Sequence, residues 1–151
     1  MNVQKSSVGE IEAAPNFAEL IAEYASESAI EGMPSPAGRL DIYRHLEKGG
    51  MLHVFSAIDD GRLIGFISVL APVLPHYGVP VAVSESFFVA KAHRCTLAGL
   101  RLLRAAEDKA RELGSPGLLV SAPFEGKLFH VLPRIGYTET NRIFFKKVSD
   151  A

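Results

Sequence analysis

The residues from Glu85 to Leu97 read Glu-Ser-Phe-Phe-Val-Ala-Lys-Ala-His-Arg-Cys-Thr-Leu and run directly into Ala98-Gly99-Leu100 and a long amphipathic segment. That succession spells a strand, a turn and a helix N-terminus. The first N–H groups of a helix have no partner inside it, and the positive end of the helix dipole lies behind them, so such a turn favours phosphate. Arg94 stands at its entrance, and the chemistry the stretch suits is the holding of a phosphorylated cofactor. Cys95, at the same helix start, is a candidate nucleophile by position, but no His–acid pair stands near it in the sequence to support covalent catalysis.

The rest of the chain must position that turn. With 151 residues, 48% of them hydrophobic, it can bury one core and is short for two, so a single domain over 1–151 is expected. The formal charge of -1 is spread without a run of like charges, which argues against a nucleic-acid or anionic-membrane partner and for a small molecule or a protein. One cysteine cannot form an internal disulfide and has no metal-ligand spacing around it, so a reducing cytoplasm and no metal are expected. The apolar stretch from Leu63 to Val83 is broken by glycines and prolines, and no basic-then-apolar leader precedes it; neither secretion nor a membrane span is expected.

Apolar residues at Phe17, Leu20, Ile21 and Tyr24 predict a first helix reaching about Ile30, ended by the breaker cluster 32–38. Leu40, Tyr43 and Leu46 predict a short second helix stopping at Gly49-Gly50. Two strands, 51–58 and 62–70, flank Asp59-Asp60-Gly61, a tight hairpin signal. After a Pro-rich loop, 81–89 reads as a central strand. The helix that follows carries Leu97, Leu100, Leu103, Ala106, Ala110 and Leu113 on one face, with Thr96 to cap its start. A short buried strand at 118–121, a helix at 125–135 distorted late by Pro133, and one or two terminal strands within 138–148 complete the order. The first dozen residues read as loosely held. The class is α/β or α+β, a mixed sheet flanked by helices.

From Val81 to Val148 the chain resembles the GNAT superfamily of acyl-CoA-dependent N-acyltransferases. Family members end a strand in a Val-x-Pro-x-Tyr-Arg-like segment and open a helix with Arg/Gln-x-x-Gly-x-Gly/Ala; these positions read Val89-Ala-Lys-Ala-His-Arg94 and Arg94-Cys-Thr-Leu-Ala-Gly99. The central glycine is replaced by Leu97. The family's Leu-Gly-Phe-like turn and closing strand match Ile135-Gly136-Tyr137 and the segment 140–147. What the resemblance implies is a mostly antiparallel central sheet, acetyl-CoA as cosubstrate, and transfer of its acetyl group by direct attack of an amine on a small molecule or protein.

On that resemblance the pantetheine lies along Phe87, Phe88 and Val89, and the pyrophosphate reaches the turn of Arg94, Cys95, Thr96, Leu97, Ala98, Gly99 and Leu100. Successive N–H groups there can converge on an anion, with Gly99 permitting close approach. Leu97 is strained if its position needs positive φ. The oxyanion donor is a backbone N–H near Val89. Glu85, four residues before Val89 and on the same face by period-two geometry, is the candidate general base. The family's usual acid, a Tyr five residues before the closing aromatic, falls on Leu132, which leaves water, His130 or Tyr137 in its stead. Acceptor walls are expected from 33–46 and from the loop 71–80 with His76 and Tyr77, none strongly acidic. Leu97 and Leu132 together motivate an alternative, a catalytically degenerate module that binds a partner or senses CoA. Another is an unrelated α/β domain holding a different phosphate-bearing ligand. The apolar segment 142–148 offers an edge or face either to the monomer's own core or to a second copy in a homodimer.

Overall fold

The computed structural model describes residues 1–36 and 38–149; Ala37, within the breaker cluster, lies outside them. Five strands form one sheet in the order β1-β2-β3-β6-β7, built from β1 (Asn2–Ser6), β2 (Leu52–Asp59), β3 (Arg62–Leu70), β6 (Ala82–Val89) and β7 (Leu118–Leu119). Every pairing is antiparallel except β6 with β7. A two-residue ribbon of β4 (Val73–Leu74) and β5 (Val79–Pro80) stands apart within the Pro-rich loop. The β2–β3 hairpin turns through Asp60 and Gly61 at φ of 48° and 72°, the paired positive dihedrals whose twist matches that of the strands.

Helices cover both faces of the sheet. On one lie α1 (Val8–Glu12), α2 (Phe17–Ser28) and α3 (Leu40–Lys48), packing Leu20 and Val8 over Val54, Phe66 and Phe88. On the other, α4 (Ala98–Glu112) sets Ala98, Leu102, Leu103 and Ala106 on Ile67, Val69 and Val89. Leu103, Ala106 and Ala110 of α4 are buried as expected, but the stripe is turned at its start: Leu97 is 55% exposed, while Leu102 and the small Ala98 face the sheet, and Ala98 lets the helix approach closely. Lys109 also falls on the buried side and carries its ammonium out to Glu112 at 2.6 Å.

The N-terminal residues are ordered, contrary to expectation. β1 runs along β2 as an edge strand, held by backbone pairing that polar side chains do not reveal. α1 starts on a capping box: Ser7 Oγ accepts the Glu10 N–H at 3.1 Å and Glu10 accepts the Ser7 N–H at 2.6 Å. At the other end, α5 (Lys127–Val131) passes into a tighter turn over Leu132–Ile135 with Pro133 near its start, and Gly136 closes it at φ of 99°. The expected terminal strand is absent, since 138–149 joins no sheet. Ile143, Phe144 and Phe145 are three consecutive apolar residues, a run with no period-two alternation to select one face.

Candidate active site

The site is built around an irregularity in β6. Across the β3–β6 ladder Ser68 pairs with Ser86 and Val69 with Ser84, which leaves Glu85 without an opposite number. One extra residue on one strand is a β-bulge, and it shifts the in–out alternation by one. Ser86 and Phe88 therefore face α2 and α3 together with Glu85, whereas Phe87 and Val89 pack toward α4. The expectation that Glu85 shares a face with Val89 is corrected: period-two counting fails across the bulge.

The Glu85 carboxylate is held by hydroxyls. Tyr43 Oη donates to both of its oxygens, at 2.8 and 2.9 Å, and Ser68 Oγ donates at 3.0 Å. Because the single Ser68 proton goes to the carboxylate, the Ser68–Ser86 hydroxyl contact of 2.6 Å must be donated by Ser86, whose N–H also points to Ser68 Oγ at 3.1 Å. The Ser68 oxygen is then fully used, and the carboxylate is aimed. Burial raises the Tyr43 pKa, helped by the negative charge of Glu85 and the hydrogen bond to it. Burial also raises that of Tyr24, again with Glu85 adding to the effect. Neither tyrosine was singled out for chemistry in the sequence, where both read as apolar helix positions; a Tyr at such a position brings a hydroxyl that needs a partner, and that was the signal to follow.

Beside the bulge, β6 opens an unpaired edge. β7 pairs only through Ala82–Leu118 and Val83–Leu119, and past them the strands part. Ala90 gives its N–H to Ile64 O at 2.8 Å across the ladder, so by alternation the N–H and C=O groups of Phe87 and Val89 face the open side. The Arg94 side chain is not free at the turn. Its Nε donates to Val89 O at 2.9 Å, its other nitrogen pairs with Glu27 at 2.6 Å, and its guanidinium lies 5.3 Å from the centre of the Phe88 ring. Arg94 ties the end of β6 to α2.

The turn keeps part of its expected donor set. Thr96 N–H bonds to His93 O, and Thr96 Oγ1 donates to the same oxygen at 2.7 Å while accepting the Ala98 N–H at 3.2 Å. Among the described residues, the N–H groups of Cys95, Leu97, Gly99 and Leu100 make no hydrogen bond. Four donors at the start of a fifteen-residue helix fit a pyrophosphate. Leu97 sits at φ of -82°, so the anticipated left-handed strain is not there. Gly99 is not a conformational necessity either: an added Cβ meets Phe87 and Val89 at an ordinary 3.7 Å, which leaves ligand approach as its possible use.

Leu132, where the acid was sought, is 8% exposed and part of the core. Tyr137 donates its hydroxyl to Glu107 of α4 at 2.7 Å, and burial, followed by that bond, raises its pKa. His130 packs edge-on against Phe129, and His76 against Tyr77 at the exposed tip of the β4–β5 ribbon. None of these joins the Glu85 cluster.

The model of the acetyltransferase (GNAT) family matches residues 16–124. No curated protein sequence matches the chain. Among solved structures, it is similar to a ribosomal-protein-alanine N-acetyltransferase from Brucella melitensis biovar Abortus 2308, with TM-score 0.72 and 19% identity over 98% of this chain and 100% of that one. It is similar to AAC(6')-Iy in complex with the bisubstrate analog CoA-S-monomethyl-acetylneamine, with TM-score 0.73 and 20% identity over 98% and 97% of the two chains. A glucosamine-6-phosphate N-acetyltransferase from Arabidopsis thaliana has TM-score 0.73 and 14% identity over 96% of each chain.

Proposed function

Since the chain belongs to the acetyltransferase (GNAT) family, we propose that it moves an acetyl group from acetyl-CoA to an amine of a small molecule or protein by direct attack. When bound, acetyl-CoA supplies an electrophilic thioester carbonyl and a thiolate leaving group. The open edge at Phe87, Phe88 and Val89 receives the pantetheine, and the turn from Arg94 to Leu100 receives the pyrophosphate, its free N–H groups at Cys95, Leu97, Gly99 and Leu100 supplying the donors. An edge N–H near Val89 faces the carbonyl oxygen and stabilises the oxyanion. Glu85 takes a proton from the acceptor's ammonium, directly or through water, and passes it to solvent. The freed nitrogen lone pair forms the C–N bond as the C–S bond breaks. The second nitrogen proton goes to the thiolate by way of water, because no acidic side chain stands at Leu132.

The observation that carries this reading is the bulge, which sets an aimed carboxylate on one face of β6 right beside the strand's open edge. Calorimetric titration with acetyl-CoA, combined with a thiol-release assay over a panel of amines, tests it. We expect micromolar binding, turnover, and a loss of about a hundredfold in kcat for Glu85→Gln with acetyl-CoA affinity unchanged. No acetyl-CoA binding would overturn the site assignment. Binding without turnover on any amine would instead support a non-catalytic, CoA-sensing module, a reading that keeps the buried Leu132 as its motive but loses the one based on strain at Leu97. The same proposal places one acyltransferase domain in the cytoplasm, where the exposed, unbridged Cys95 thiol is kept reduced.

A further inference from the structure

Between the sheet and α1–α3 lies a half-open pocket of about 60 Å³, continuous with solvent. Its walls are almost wholly apolar: Ile11, Phe17, Ile21, Leu40, Val54 and Phe66 set the character, with the faces of Tyr24 and Tyr43 beside them. Polar atoms enter at one side, where Tyr43, Ser68 and Ser86 line the pocket, and Tyr43 and Ser68 are the two residues that hold Glu85. The pocket therefore has an oily body and a polar end made by hydroxyls, with the Glu85 carboxylate just behind them, bonded to Tyr43 and Ser68 without lining the pocket itself.

The other acids on this side are already engaged. Glu12 pairs with Arg44, Glu19 with Arg62, Glu27 with Arg94 and Asp41 with Arg39. Glu23 accepts the Lys91 N–H and Glu47 the Val8 N–H. Glu31, in the turn after α2, does not line the pocket. Glu85 differs in being held by the side-chain hydroxyls of two pocket-lining residues, Tyr43 and Ser68, which are neutral and leave its charge uncompensated beside the pocket. A polycation would find one such carboxylate and would have to place its remaining charges on apolar walls, at high desolvation cost.

We infer that the acceptor is a monoamine on an apolar aromatic or aliphatic body, with the body in the pocket and the ammonium at Glu85. The reaction rests on the transferase reading above; the binding preference does not. The test is therefore equilibrium binding of n-alkylamines of increasing length, phenethylamine and spermidine to the protein without acetyl-CoA, run beside thiol release from acetyl-CoA with the same amines. Each added methylene is expected to tighten binding about fourfold until the pocket is full. Phenethylamine is expected to bind at least about tenfold more tightly than spermidine, with Glu85→Gln weakening it about tenfold or more. A flat chain-length series, spermidine binding as well as or better than phenethylamine, or no amine binding at all would overturn the inference. Length-dependent binding without acetyl transfer would uphold the pocket and sink the transferase reading; transfer to spermidine alone would do the reverse. Because the chain-length slope is read on the wild-type protein, the outcome does not hang on any variant folding.

Discussion

Tyr43 and Tyr137 show how single hydroxyls couple this protein's stability to pH. Each is held neutral by burial and by donating to a carboxylate, Glu85 for Tyr43 and Glu107 for Tyr137, and each has its folded pKa raised above that of an unfolded tyrosine. Above about pH 10 the unfolded chain gives up these protons while the folded one retains them. Stability contributed by the two groups is therefore complete below about pH 10 and is lost as pH rises toward the folded values. Urea midpoints measured from pH 8 to 11 are expected to fall more steeply for wild type than for the Tyr43→Phe, Tyr137→Phe double variant. Parallel curves would mean that both hydroxyls already ionise at their ordinary pKa.

At the scale of elements, the site depends on how closely β3 and β6 approach. Gly65 stands opposite Val89, and a Cβ there would lie 2.7 Å from Phe88 O, a backbone atom in a paired strand with little freedom to retreat. Gly65→Ala is expected to cost about 1–3 kcal/mol and to distort the open edge, so that denaturant titration shows a lower midpoint and acetyl-CoA binding weakens with it. A neutral substitution would mean that the ladder yields at no cost. The elements flanking this pair were legible in the sequence because their signals are local: Asp60-Gly61 for the hairpin, helical spacing for α2 and α3, and the aromatic strand before α4. The bulge was not. It arises from a mismatch between two strands whose facing ends, Leu70 and Ala82, are separated in sequence, and it leaves no periodic mark on either, so Glu85 was singled out by residue type but assigned to the wrong face. β1 escaped notice for a related reason, since an edge strand of polar residues pairs through its backbone; the helix after it was missed as well, although its capping pair, Ser7 and Glu10, is a local signal. Tyr24 and Tyr43 were placed on their helices correctly and read only as packing, because their carboxylate partner is distant in sequence.

For the molecule as a whole, the segment 138–149 is the feature that packing within one copy does not explain. Phe144 is 89% exposed and Val148 90%, with Ile143 beside them, and the segment touches the body where Phe145 and Lys147 pass Gly32. An apolar run left bare to this degree favours association. We expect light scattering after gel filtration to give twice the monomer mass, and an Ile143→Ser, Phe144→Ser variant to give the monomer; a wild-type monomer at the same concentration would show that the segment has no such partner. The bulge carries a consequence of another kind. On the proposed function it would make one strand a partition with a window, the proposed acceptor pocket on one side and the proposed pyrophosphate turn, at the head of α4, on the other. Two substrates would then approach from opposite sides without passing each other, and neither would have to arrive first. Under that proposal the order of binding would be left to concentration rather than to architecture.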